Sequence, residues 1–206
     1  MTPALTQAPR GPSARRHNDT EVTAWALAAR SGDPEAVDRF VRATQRDVWR
    51  FVAHLSADLH GADDLTQETY LRALTGLPRF AGRSCARTWL LSIARRVVVD
   101  RYRHTAARPR IASACDWQTA AERSQPCGLP GFEERVALLE LLRALNASRR
   151  EAFVLTQLAG LPYERAAAVL GCPLGTVRSR VARARADLTA LLREAESAGG
   201  GTAPSA

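Results

Sequence analysis

The chain has 206 residues, of which 46% are hydrophobic, 24% charged and 6% aromatic, and it carries a formal net charge of +8. That length holds one medium domain or two small ones, with a core built from Ala, Leu and Val rather than aromatics. Such a basic balance points to polyanionic partners, nucleic acid first and an anionic membrane surface second.

All 29 basic residues are Arg. Beside so much Ala this reads as a GC-rich coding sequence, so the choice of Arg over Lys carries little functional weight. Cys85, Cys115, Cys127 and Cys172 are widely spaced, with no C-x-x-C pair and no neighbouring His. They are expected to be isolated reduced thiols in a cytosolic protein, not zinc ligands or a disulfide framework. No apolar run approaches the roughly 18 residues of a membrane span, and the first 18 residues lack the hydrophobic segment of a signal peptide. The expectation is a protein that stays in the cytoplasm, with no membrane contact.

Residues 1–18 read as a disordered arm. Thr20 is expected to cap a short helix running to about Arg30, with Glu21 in its first turn. Ser31-Gly32-Asp33-Pro34 breaks it, and Pro34 suits the first position of a second helix. Val37, Phe40, Val41, Val48, Phe51, Val52 and Leu55 recur at three and four along that helix, to about His54. Trp25, Trp49 and Phe51 read as core aromatics.

Gly61-Ala62-Asp63-Asp64 starts a third helix, with both aspartates at its positive end. Tyr70, Leu71 and Leu74 are assigned to the inward face, leaving Leu65, Glu68, Thr69 and Arg72 outward. An exposed leucine among acids on a basic protein points to docking of a basic protein partner. After Gly76-Leu77-Pro78 a loop leads to Ser84, which can cap a fourth helix. Ala86, Leu90, Ile93, Ala94 and Val97 form one face of that helix, with Thr88, Ser92, Arg95, Val99 and Arg103 opposite. From Arg83 to Arg110 there are eight arginines and one acid, Asp100. With Phe80 and Trp89 beside them, the pattern suits stacking on unpaired bases while arginines follow phosphates. The plainer alternative is core aromatics beside solvated arginines.

Residues 105–131 carry Pro, Gly, Ser and Cys with few periodic apolar positions, and read as an interdomain linker. Helices resume with Val136, Leu139, Leu142 and Leu145 on one stripe. Ser148 with Glu151 then makes a candidate capping box for a helix holding Phe153, Val154, Leu155 and Leu158. Gly160-Leu161-Pro162 breaks that helix.

The helical run Tyr163–Leu170 then meets Gly171, a residue suited to a left-handed cap, and a second helix leaves carrying Arg178, Arg180, Arg183 and Arg185. At about 100° per residue, Leu174, Val177, Val181, Ala184, Leu188, Leu191 and Leu192 share one face. Thr176, Ser179, Arg180 and Arg183 point the other way, with Arg178 and Arg185 at the flanks. An apolar face backing a basic, small-polar one is what a recognition helix in the DNA major groove requires. A merely solvated amphipathic helix is the alternative. The tail from about residue 196 is Gly- and Ala-rich and is expected to be disordered.

Three stretches resemble one known family: Asp63-Asp64-Leu65-Thr66-Gln67-Glu68-Thr69-Tyr70-Leu71-Arg72-Ala73, Arg87-Thr88-Trp89-Leu90-Leu91-Ser92-Ile93-Ala94-Arg95, and Gly171-Cys172-Pro173-Leu174-Gly175-Thr176-Val177-Arg178-Ser179-Arg180. They stand in the order and at the spacing of the extracytoplasmic-function (ECF) sigma factors of bacterial RNA polymerase, and are especially similar to the actinobacterial sigma C group. The resemblance implies an all-α fold of two small helical domains joined by a flexible linker. Residues 19–104 would be a region 2 bundle, 105–131 the linker, and 132–195 a region 4 helix-turn-helix domain.

It also implies site residues. Asp63, Asp64, Leu65, Gln67, Glu68, Thr69 and Arg72 match a docking helix for the clamp coiled coil of the largest polymerase subunit. Phe80, Arg83, Arg87, Thr88, Trp89, Ser92, Arg95, Arg96 and Arg103 match the part that captures the opened non-template strand of the promoter −10 element. The physical logic there is an unstacked base held in a pocket while cations hold the strand. Thr176, Arg178, Ser179, Arg180 and Arg183 match the reader of the duplex −35 element. The implied partners are RNA polymerase core (its β and β′ subunits) and promoter DNA, with an anti-sigma factor left open and no small-molecule substrate.

Two positions depart from the family pattern. Arg96 stands where many members have Asn, so −10 base specificity does not transfer. Pro162 replaces a Ser at the start of the helix-turn-helix; it suits a helix start but supplies no side-chain cap. No catalytic triad, phosphate loop or metal cluster is visible. His17, His54, His60 and His104 are scattered and read as surface residues, so neither catalysis nor a cofactor is expected. The competing readings are a conventional helix-turn-helix repressor or activator, which needs a dimer and a sensor domain, and a nucleic-acid enzyme, which needs clustered carboxylates or His/Cys ligands.

Overall fold

The computed structural model describes residues 18–107 and 132–199; these form eight α-helices and no strand. The helices are α1 (Asp19–Ala29), α2 (Pro34–Ser56), α3 (Ala62–Gly76), α4 (Ala86–Ala107), α5 (Phe132–Ala144), α6 (Ala147–Phe153), α7 (Tyr163–Leu170) and α8 (Leu174–Gly199). A 3₁₀ turn, Leu77–Arg79, follows α3, and a π-helical turn, Val154–Leu158, continues α6. The expected all-α class is borne out. The arm before Asn18 and residues 108–131 of the expected linker lie outside the described residues, as do His17, Cys115 and Cys127. Residues 105–107 extend α4, and 196–199 extend α8 into the expected tail.

The first bundle packs α1, α3 and α4 around α2. Pro34 opens α2 as expected, with Asp33 as its cap, Oδ1 accepting from the Glu35 amide at 2.9 Å. Phe40, Val48, Phe51 and Val52 bury the stripe, each at 2% exposure or less. Asn18, not Thr20, caps α1, and Glu21 closes the capping box from the third helical position. Asn18 wins because Thr20 already lies in the first turn, where its amide needs an acceptor. The same displacement occurs at α6. Asn146 accepts from the amide and hydroxyl of Ser148 at 3.0 and 2.9 Å, so Ser148 is a donor there instead of the cap.

In α3 the inward stripe is Ala62, Leu65, Thr66, Thr69, Tyr70 and Ala73. Leu65 and Thr69 therefore face the core, while Leu71 and Leu74 are 58% and 37% exposed. This corrects the sequence assignment of that helix by roughly a quarter turn. The cause is a buried contact 2.7 Å long between the Tyr70 hydroxyl and Thr44 Oγ1 of α2, which sets the rotation of the helix. Burial pushes the Tyr70 phenol well above its usual value, with the Thr44 hydrogen bond opposing and Asp47 reinforcing.

In the second bundle, α8 packs on α6 and α7. Leu142, Val154, Leu155, Val177, Val181 and Ala184 are at most 1% exposed. Leu192, expected on the buried face of α8, is 49% exposed because α8 outruns the helices beneath it.

The two bundles touch. α4 packs on α7, and α2 on the π turn and α5. Arg165 Nη1 of α7 donates to Asp19 Oδ2 at 2.7 Å and to Cys85 Sγ at 3.0 Å. Arg143 Nε donates at 2.7 Å to the carbonyl of Ala57, a buried residue held in the left-handed region at φ 51° at the end of α2. The guanidinium of Arg150 lies 6.0 Å from the centre of the Tyr102 ring.

Candidate nucleic-acid and partner interfaces

The helix-turn-helix is built from α7, a three-residue turn and α8. Gly171 ends α7 at φ 64°, ψ 37°, a conformation cheap only for glycine, and its amide closes on the Ala167 carbonyl. Pro162 stands at the start of α7 without a side-chain cap, and Glu164 in the first turn complements the helix dipole. With Val177, Val181 and Ala184 turned inward, Arg178, Ser179 and Arg183 are exposed, and Thr176 and Arg180 are half-buried. Ser179 donates to the Thr176 carbonyl at 3.0 Å, and Arg185 is held by Gln157 Oε1 at 2.6 Å. Among the described residues no ion pair engages Arg178, Arg180 or Arg183. The outer face of α8 is thus cationic and open, with a small hydroxyl between two guanidinium groups.

The second cationic surface is divided. Arg83, Arg96 and Arg103 are exposed; Ser92, half-buried, and Arg96 lie one turn apart on α4, with Arg103 two turns further. The other expected strand contacts turn inward. Phe80 is 4% exposed and packs against Trp89, ring centres 4.8 Å apart and tilted by 40°. Trp89 keeps an accessible part, so only one of the two aromatics presents a face to solvent. Thr88 is 8% exposed and contacts Cys85 Sγ at 2.9 Å. Arg87 pairs with Asp47 and lies 3.8 Å from Asp19. Arg95 spends both Nε and Nη2 on Glu151 of α6, at 3.2 and 2.8 Å. Local periodicity has no access to Asp47 or Glu151 as partners, 40 and 56 positions away.

The third surface is the outer face of α3. Asp63, Asp64 and Gln67 are exposed, and Asp63 Oδ1 accepts from the Trp49 indole nitrogen at 2.7 Å. Arg72 bridges Glu68 and Asp100, each at 2.7 Å. Its hydrogen bond holds the Asp100 carboxyl below the usual carboxylate range, and the two carboxylates raise the guanidinium in turn. The apolar part of this patch is Leu71 with Leu74, which the sequence reading had turned inward. The period of the small and hydroxylated residues, Ala62-Thr66-Thr69-Ala73, is the signal that would have found it.

Among the described residues no group of three or more His, Cys, Asp or Glu could hold a metal ion. No described helix is long and apolar enough to cross a membrane. Cys85 and Cys172 are free thiols. His54 is half-buried, and burial first, then Arg50, keeps its imidazole below the usual value, which corrects its reading as an ordinary surface residue.

The family model for sigma-70 region 2 matches residues 40–108, and that for sigma-70 region 4 matches residues 135–188. The chain is 51% identical over 184 residues to the ECF RNA polymerase sigma factor SigC of Mycobacterium tuberculosis (strain CDC 1551 / Oshkosh), covering 89% of this chain and 96% of the relative. Two solved structures are similar. CnrH, in complex with the cytosolic domain of CnrY, matches with TM-score 0.66 at 28% identity, over 84% of this chain and 98% of that one. The sigma factor RpoE of Bartonella quintana, in complex with the anti-sigma factor NepR, matches with TM-score 0.60 at 26% identity, over 76% and 96%. Matches to both regions in one chain give no support to a stand-alone helix-turn-helix repressor or activator. The chain belongs to the ECF family of RNA polymerase sigma factors, whose members bind the polymerase core and promoter DNA to direct transcription initiation.

Proposed function

We propose a division of labour in which three surfaces of this chain serve the three steps of promoter-specific initiation. The outer face of α3, with Asp63, Asp64, Gln67, Glu68 and Arg72 around Leu71 and Leu74, docks on a basic, partly apolar surface of the polymerase core. Leu65 and Thr69 hold that helix in place from beneath. Arg83, Ser92, Arg96 and Arg103, with the open part of Trp89, take the opened −10 strand. Phe80, Thr88 and Arg87 support that surface from within the bundle, and Arg95 joins it when Glu151 releases it. Thr176, Arg178, Ser179, Arg180 and Arg183 read the −35 duplex. The domains doing this span residues 19–104 and 132–195, joined by residues 105–131. The factor works in the cytoplasm, takes no cofactor, and leaves the chemistry to polymerase.

The observation that carries this reading is the separation of two cationic faces onto two bundles, one on α4 and one on α8, with an acidic and apolar patch on a third face. A groove reader needs one basic helix; a second basic surface beside a half-buried Trp suits single-stranded DNA. The structural relatives bound to CnrY and NepR support a further partner, an anti-sigma factor acting on the same surfaces. The test is run-off transcription with purified chain, polymerase core and promoter DNA. Transcripts starting at one promoter position are expected only when chain and core are both present. Duplex binding without core, and no transcript with it, would refute the assignment.

A further inference from the structure

The amide of Gln157, in the π turn, has its orientation fixed by its neighbours. Thr156 Oγ1 donates to the Ala152 carbonyl at 2.8 Å and so accepts from Gln157 Nε2 at 2.9 Å. The Tyr163 hydroxyl of α7 lies 3.4 Å from the same nitrogen. The amide oxygen is left for Arg185 Nη2 of α8, at 2.6 Å, and oxygen is the one amide atom to which a guanidinium can donate. One half-buried side chain thus ties the π turn to both helices of the helix-turn-helix.

At about 100° per residue, Arg178 and Arg185 fall within roughly 20° of each other, on one flank of the apolar stripe of α8, with Arg180 on the opposite flank. They stand two turns apart, about 10.5 Å along the axis. A helix about 10–12 Å across fills a major groove about 12 Å wide, so its flanks look at the two phosphate walls. Arg185 is exposed, and among the described residues no ion pair engages it. The Gln157 contact takes one of its five N–H donors.

The chemistry of the acceptor decides what that contact is for. Arg72, Arg87, Arg95, Arg149 and Arg165 are held by carboxylates, which offset their charge. A neutral amide fixes the direction of a guanidinium and leaves its positive charge whole. Ordering a long side chain in advance also removes part of the entropy cost of binding.

We propose that Arg185 is a further phosphate contact to the −35 duplex, on the strand that Arg178 flanks, and that Gln157 is the residue that positions it. Its role rests on the duplex-reading assignment of α8 and adds a cation outside the expected set. Gln157 touches no DNA; it acts through Arg185.

Full-length chain is titrated by fluorescence anisotropy against a short duplex enriched from a random-sequence pool on that chain, at several salt concentrations. Arg185→Ala is expected to reduce the slope of log affinity against log salt by about 0.9, and to lower affinity about five-fold at physiological salt. Arg185→Lys keeps the cation and is expected to keep the slope; losing it there too overturns an electrostatic contact. Gln157→Glu separates the phosphate contact from a mere pin on α8. A carboxylate holds Arg185 more firmly, so a pin predicts unchanged or tighter DNA binding. Competition with phosphate predicts the loss seen in Arg185→Ala, with no further loss in the double variant. Gln157→Ala is expected to lower affinity with the slope intact, and unchanged affinity overturns the positioning role. Urea unfolding checks that each variant is folded. An unchanged slope in Arg185→Ala, or parental binding by Gln157→Glu, overturns the phosphate contact. If Arg183→Ala lowers the slope in the same titration while Arg185→Ala does not, the duplex reading stands and the Arg185 contact is refuted. No change of slope in either variant refutes both.

Discussion

Arg95 of α4 holds Glu151 of α6 through two nitrogens, at 2.8 and 3.2 Å, with the side chains only 25% and 15% exposed. The pair joins the two bundles and removes a guanidinium from the surface assigned to the opened strand. Glu151→Gln breaks the ion pair while keeping the shape. It is expected to raise affinity for a single-stranded −10 oligonucleotide about three-fold and to cost roughly 1 kcal/mol of stability, more than an exposed pair and less than a fully buried one. Fluorescence anisotropy and urea unfolding measure the two, and unchanged strand affinity would count against the role of Arg95.

Arg183 is exposed on the outer face of α8 with no ion pair among the described residues. Arg183→Ala is expected to lower duplex affinity and reduce the slope of log affinity against log salt by about 0.9, one phosphate contact. Titration at several salt concentrations reads the slope; a slope that stays put contradicts a phosphate contact.

Glu68 is half-buried on α3 and accepts from Arg72 at 2.7 Å. Reversing its charge with Glu68→Lys places a cation against Arg72 and against the basic core surface proposed to dock there. Core polymerase binding, followed by native gel or interferometry, is expected to weaken at least ten-fold while duplex binding by α8 is unaffected. Loss of both would argue against separate surfaces.

Leu155, in the π turn, is fully buried, whereas Leu192 is 49% exposed. Leu155→Ala is expected to cost about 2–5 kcal/mol through transfer and cavity terms, and Leu192→Ala no more than about 0.5 kcal/mol. Urea midpoints compare the two directly.

The folded chain binds a proton at His54 more weakly than the unfolded chain does, because burial and Arg50 lower its pKa. Its contribution is therefore constant above the unfolded value of about 6.5 and turns unfavourable as pH falls through it. Urea midpoints measured from pH 7.5 down to 5 should fall less steeply in His54→Asn than in the parent. An equal fall in both would remove His54 as a source of the acid sensitivity.

Much of this was legible in the sequence. Pro34, the apolar stripe of α2, and Gly171 with Val177, Val181 and Ala184 follow rules that act within a few residues, and each was placed as found. What failed was decided elsewhere in the chain or by near-ties. Asn18 lies two positions from Thr20, and Asn146 two from Ser148, all of them capable of capping. The rotation of α3 depends on a Tyr70–Thr44 contact across 26 positions, which leaves Leu71 and Leu74 outside and Leu65 within. Phe80 reads as an open stacking face until Trp89 is seen lying against it. The inward turn of Arg87 and Arg95 was invisible for a similar reason: charge alone does not say which guanidinium meets a carboxylate from another helix.

The Asp19–Arg165 contact spans 146 positions, so it has a bearing on how the protein comes off the ribosome. Domains fold as units, the N-terminal one first, during synthesis at about 5–20 residues per second. The first bundle therefore completes its core several seconds before α7 exists, and for that interval the faces of α2 and α4 that pack on the π turn, α5 and α7 have nothing from the second bundle to cover them. Nascent chains stalled before residue 163 should bind a hydrophobic-surface dye or a holdase more strongly than the released protein, a transient liability written into the order of the two bundles.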